Sequence, residues 1–130
     1  MVTGKERSTE KERQAQTELE QQGYLVTRAG ASLGMFDLIA VDPISVRFIQ
    51  IKRTKLKNIS WSGYYREIYE IQSRQWPSCC SIEFWIWQDY KGWTRIRWYQ
   101  RKQSWLRLET NQLCFRGDEI AKKVKSEGDV

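Results

Sequence analysis

Histidine is absent from the 130-residue chain. That removes imidazole acid–base chemistry, Ser-His-Asp triads and every His-based zinc site at once. Cysteine is scarce: three residues, two of them adjacent at Cys79 and Cys80, which form neither a disulfide framework nor a zinc-binding spacing. Any metal must then be held by oxygen, which points to magnesium or manganese. Unpaired thiols suit a reducing compartment, so a cytoplasmic setting is expected. There are only two prolines, no apolar run long enough to span a bilayer, and no apolar segment in the polar N-terminus of the kind a signal peptide needs.

The surplus is positive charge and aromatic surface. Net charge is +6, which favours an anionic partner; with no basic amphipathic helix, nucleic acid is preferred over membrane. Apolar residues make up 40% of the chain, enough for one core, so residues 1–130 are expected to form a single domain with disordered ends at 1–8 and 126–130.

Residues 9–22 are rich in Glu, Gln, Lys and Ala and predict a helix with Glu12, Ala15 and Leu19 on one face. Gly23 is placed to end it. Short strands are expected at Tyr24–Thr27, Phe36–Val41 and Val46–Lys52, with a Gly/Ser loop from Arg28 to Gly34 and a turn at Asp42-Pro43. Trp61, Tyr64, Tyr65, Ile68 and Ile71 recur at helical spacing up to Pro77, predicting a second helix. A hairpin at Ser81–Gln88 and Trp93–Tyr99 follows, then a short strand or irregular edge at Leu106–Phe115 and a terminal helix at Asp118–Lys125. The order α-β-β-β-α-β-β implies an α/β domain with a central sheet flanked by helices.

One cluster in this plan carries chemistry. Asp37 interrupts an otherwise apolar strand, and a carboxylate there needs a partner. Gln50 and Lys52 lie two apart on the next strand and share a face. A carboxylate, an oxygen donor and an ammonium at one end of a sheet suit a metal-dependent phosphodiesterase. In order and spacing, Glu12-Arg13, Gly23-Tyr24, Arg28, Gly30 with Ser32, Asp37-Leu38-Ile39-Ala40 and Gln50-Ile51-Lys52 resemble the PD-(D/E)XK nuclease superfamily. Within it, they are most similar to the archaeal-type Holliday junction resolvases. The likeness covers residues 10–55. One position departs from it: Gln50 stands where the family has an acidic residue, leaving Glu12 and Asp37 as the carboxylates and a weaker hold on a divalent ion.

The resemblance implies a restriction-endonuclease-like core with a mixed sheet, and a Mg2+- or Mn2+-dependent endonuclease cutting branched DNA as a homodimer in recombination or repair. Asp37, Gln50, the carbonyl of Ile51 and Glu12 are the implied metal ligands. Lys52 is implied to orient the attacking water and stabilise the transition state, and Ser32 and Arg28 to bind backbone phosphate. Arg13 joins the implied DNA contacts, and Arg53, Lys55 and Lys57, which leave the strand bearing Lys52, add to the positive surface. Other readings stand beside this one: a restriction- or repair-type enzyme acting on duplex DNA, or a non-catalytic DNA-binding module of the same fold. The host could equally be a cell or a mobile element whose product acts in the host cell. Taken singly, the residues have plainer meanings, since Thr9-x-x-Glu12 reads as a helix capping box.

Five of the seven tryptophans fall between residues 76 and 98. In Phe84-Trp85-Ile86-Trp87 alternate side chains are apolar on both faces, which suits either a central strand between helices or a strand with one face under a second subunit.

Overall fold

The computed structural model describes residues 4–29 and 34–120. Its first helix, α1 (Gly4–Gln21), starts well before the expected position. Thr9 therefore lies inside the helix, and Thr9-x-x-Glu12 is not an N-terminal capping box. The helix stops where the sequence says it should: Gly23 takes φ +96°, its N–H donates to the Glu20 carbonyl at 3.0 Å, and the Tyr24 N–H donates to Leu19 at 3.1 Å. These two bonds cap the last carbonyls, and the positive φ they need is one a glycine adopts without strain.

Seven strands follow: β1 (Leu25–Arg28), β2 (Leu38–Val41), β3 (Val46–Thr54), β4 (Cys80–Gln88), β5 (Gly92–Tyr99), β6 (Ser104–Arg107) and β7 (Leu113–Arg116). The second helix, α2 (Tyr65–Gln72), sits between β3 and β4, preceded by a 3-10 turn at Trp61–Tyr64. The expected stretch Leu106–Phe115 is thus two strands folded back around Asn111, which turns with φ +59°. Residues 117–120 begin a helix, and the remainder of the expected terminal helix, like residues 126–130, lies outside the described residues.

The strands form one sheet in sequence order, β1 to β7. Neighbours are antiparallel except β3 and β4, which run parallel from Val46↔Cys80 to Thr54↔Gln88. A parallel step needs a crossover, and the segment containing α2 provides it. The fold class is therefore α/β, a mixed sheet with helices on its faces, as the element order implied.

Each helix closes one core. Ala15 and Leu19 of α1 pack on Leu38, Ala40, Ile49, Ile51 and Trp85. On the other face Ile68 and Ile71 of α2 pack on Ile82, Phe84, Ile86 and Ile96, with Trp98 and Trp105 beyond. Each such aliphatic side chain contributes about 1.5–3 kcal/mol by leaving water. Trp85 is 2% exposed, and Trp87 carries the Lys11 ammonium 3.8 Å from its ring centre. Strand β4 is thus central, its two apolar faces covered from within the chain. No helix among the described residues is long and apolar enough to cross a membrane.

Candidate active site

Asp37 enters the sheet one residue before β2. Its N–H donates to the Ile49 carbonyl and its carbonyl accepts from Ala29, both at 2.9 Å, so the backbone is fixed on both sides. The antiparallel register that sets Leu38 opposite Ile49 places Asp37 opposite Gln50. The Asp37 side chain then accepts a 2.7 Å hydrogen bond from the N–H of Ile51. Burial pushes the Asp37 carboxyl up to about 6; the Ile51 N–H works against that shift, and the neighbouring Glu12 carboxyl adds to it. Two carboxyls pressed together in a partly dry site is an arrangement that a cation relieves.

Glu12 reaches this point from the middle of α1. Its Oε2 accepts from Arg28 at 3.0 Å, so the last residue of β1 holds the helix carboxylate in place. The buried stripe of α1 is Lys11, Ala15 and Leu19, spaced by four, with Glu12 beside it at the border of the sheet.

Gln50 is 8% exposed, and its Oε1 is buried without a hydrogen-bond partner. A buried amide oxygen left unpaired costs roughly 1–3 kcal/mol. That oxygen is free to serve as a ligand, and the donor set of two carboxyls and one amide oxygen is the hard, oxygen-only kind that Mg2+ or Mn2+ takes. Among the described residues no three His, Cys, Asp or Glu side chains converge as a ready-made metal cage, in keeping with glutamine at this position.

Lys52 shares the Gln50 face of β3. Its ammonium lies 3.5 Å from Glu67 of α2. In the sequence Glu67 reads only as the polar neighbour of Ile68 on an amphipathic helix, and the crossover alone brings it to β3. The other expected DNA-contacting residues separate. Arg13 is exposed on α1, and Lys55 and Lys57 are exposed beyond β3. Arg53 alternates to the opposite face from Lys52 and pairs with Asp89 at 3.0 Å. Ser32 and Gly30 lie outside the described residues.

A cleft of about 950 Å3 is lined by Tyr69, Gln72, Lys102, Leu113 and Arg116 among others and holds none of these candidates. At the far end of β3 and β4, Arg47 clasps the fully buried Glu83 with bonds of 2.7 and 2.8 Å. Glu83 also accepts from Ser81 and from the Trp85 indole. Its oxygens are thereby satisfied, which marks it as a structural ion pair.

No family model matches the chain, and no curated protein does. Among solved structures the chain is similar to Hjc of Archaeoglobus fulgidus, a Holliday junction resolvase from an archaeal hyperthermophile, at 18% identity over 87% of this chain and 97% of that one, with a TM-score of 0.47.

Proposed function

We propose that this chain is a metal-dependent endonuclease acting on branched DNA, with a Holliday junction as the favoured substrate. The observation that carries the reading is the Asp37 pocket. There a half-buried carboxyl pushed up to about 6 lies against the Glu12 carboxyl, opposite an unpartnered Gln50 oxygen, with Lys52 on the same strand face. Few structural roles call for such a costly grouping, and a phosphodiesterase centre uses every part of it. The order and spacing of residues 10–55 supply the preference for junctions.

In this reading Asp37, Glu12, the Gln50 oxygen and the Ile51 carbonyl would hold Mg2+ or Mn2+, which would supply charge neutralisation at the scissile phosphate and a more acidic water for attack. The chain's own groups do the remainder. The Ile51 N–H fixes the orientation of Asp37. Arg28 fixes Glu12 and offers its remaining donors to a backbone phosphate, with Ser32 and Arg13 nearby in sequence. The Lys52 ammonium orients the water and stabilises the charge that develops on the phosphoryl oxygens. Lys55 and Lys57 contact the flanking backbone without sequence preference. A homodimer places two such sites on the symmetric strands of a junction, and the setting is the cytoplasm of the cell or of the host of a mobile element.

One observation favours a second reading, a DNA-binding module without catalysis: no third carboxylate joins Glu12 and Asp37 at close range among the described residues. Cleavage of labelled four-way junction, flap, linear duplex and single strand, with Mg2+ and then Mn2+ and with Asp37→Ala in parallel, separates the alternatives. Paired symmetric nicks in the junction, lost in the variant, are expected. Cutting of plain duplex would move the substrate to that of a restriction- or repair-type nuclease, and tight binding without cutting would favour the module.

A further inference from the structure

The charge around Asp37 does not by itself attract a divalent ion. Glu12 and Asp37 bring two negative groups; Arg28, paired with Glu12 at 3.0 Å, and Lys52 bring two positive ones. Hard cations bind chiefly through net negative charge, so these four groups cancel. Glu67 alters the balance. It lies 3.5 Å from Lys52, with both side chains 31% exposed. A half-exposed pair of this kind contributes little to stability, so its position calls for another account.

That position is well determined. Gln50, Lys52 and Thr54 alternate onto one face of β3. The turn before α2 and the helix itself lie along this row: the Tyr64 hydroxyl comes near the Thr54 side chain, and Glu67 meets Lys52. The next residue, Ile68, is fully buried and anchors α2 to the sheet. Two residues from Lys52 on the same face, Gln50 keeps a buried oxygen with no partner, an independent sign that this end of the row is built for a ligand.

We propose that Glu67 is the third acidic residue of the site, acting at one remove. It neutralises and orients Lys52, and so supplies the negative charge that glutamine at position 50 does not. This rests on the reading of the Asp37 pocket as a divalent-cation centre. Glu67 is a positioning residue in this scheme. It approaches from the crossover helix, so the strand face and the helix share a duty that an acidic residue at position 50 would perform alone.

The test is Mn2+ affinity in the absence of DNA, read by electron paramagnetic resonance of the free ion, for the native protein, Glu67→Gln, Gln50→Glu, the double variant and Asp37→Asn. Glu67→Gln is isosteric at a half-exposed site, and thermal melts confirm that each variant is folded. We expect Glu67→Gln to weaken Mn2+ binding about tenfold, the effect of removing one unit charge near a divalent ion, and Gln50→Glu to restore native affinity in the Glu67→Gln background. Affinity within twofold of native in Glu67→Gln, with Asp37→Asn abolishing binding, overturns the role of Glu67 and leaves the cation centre standing. Weakening that Gln50→Glu does not restore overturns the exchange of charge between the two positions. Native protein that takes up no Mn2+, or an Asp37→Asn variant that binds as well as native, overturns the centre and this inference with it.

Discussion

A carboxyl held at about 6, against 3.8 for a free aspartate, carries a signature that needs no substrate. Between those two pH values the fold keeps a proton on Asp37 that the unfolded chain has released. The stability this confers is full below pH 3.8 and is lost as pH rises through about 6. Metal-free protein should therefore lose melting temperature between pH 5 and pH 8, and Asp37→Asn, which has no proton to lose, should flatten that part of the profile. The proposed divalent ion would bind the ionised form, so Mn2+ should raise the melting temperature of the native protein more at pH 8 than at pH 5 and have little effect on the variant. Thermal melts at the two pH values with and without Mn2+ check both statements, and an identical profile in the variant would remove Asp37 from the centre.

At the scale of the element, two local devices should have measurable worth. Gly23 closes α1 in a left-handed conformation with open space around it, nothing lying within 4 Å of an added Cβ. Gly23→Ala should cost about 1 kcal/mol through backbone conformation alone, visible as a shift in denaturant midpoint with unchanged slope. The Arg47–Glu83 clasp spans the parallel step between β3 and β4, with Glu83 fully buried. Arg47→Ala should cost roughly 3–5 kcal/mol, because it strands a carboxylate in the core; the double change Arg47→Met with Glu83→Leu should recover most of it.

The same elements divide what the sequence discloses from what it conceals. The helix stop at Gly23, the apolar β2, the row Gln50–Lys52 and the hairpin of β4 and β5 are all local patterns, legible within a few residues. So is the oddity of Asp37, a carboxylate in an apolar strand. The early start of α1 has no local mark, because residues before Thr9 lack an apolar stripe. The turn at Asn111 between β6 and β7 lacks the glycine that announces such bends. The pairings of Arg47 with Glu83 and of Arg53 with Asp89 are fixed by the parallel register, whose partners lie 36 residues apart, and Glu67 reaches Lys52 only through the crossover. No window of local sequence contains that information.

For the molecule as a whole, the proposed DNA-cutting role combined with a net charge of +6 predicts an affinity for DNA that depends strongly on salt. Lys55 and Lys57 are exposed, whereas Arg53 is engaged by Asp89. The pair Lys55→Ala and Lys57→Ala should weaken junction binding at every sequence and flatten the dependence of log K on log salt by about 2, roughly one unit per lost phosphate contact. Arg53→Ala should alter that slope less and be felt in stability. Binding titrations across a salt series distinguish the two. The parallel seam between β3 and β4 has a consequence in time as well as in space. Strands β1 to β3 and strands β4 to β7 are each a run of antiparallel neighbours, and hairpins of that kind close in about 1–10 μs. The seam needs the long crossover at 55–79 to be fixed first, at a larger entropic cost. The pocket of Glu12, Asp37 and Gln50 belongs entirely to the first run and its helix, while Glu67 arrives with the crossover. Pulsed hydrogen exchange during refolding should show amides of β2 and β3 protected before those of α2, so that the pocket proposed to hold a cation forms early and Glu67 reaches it last.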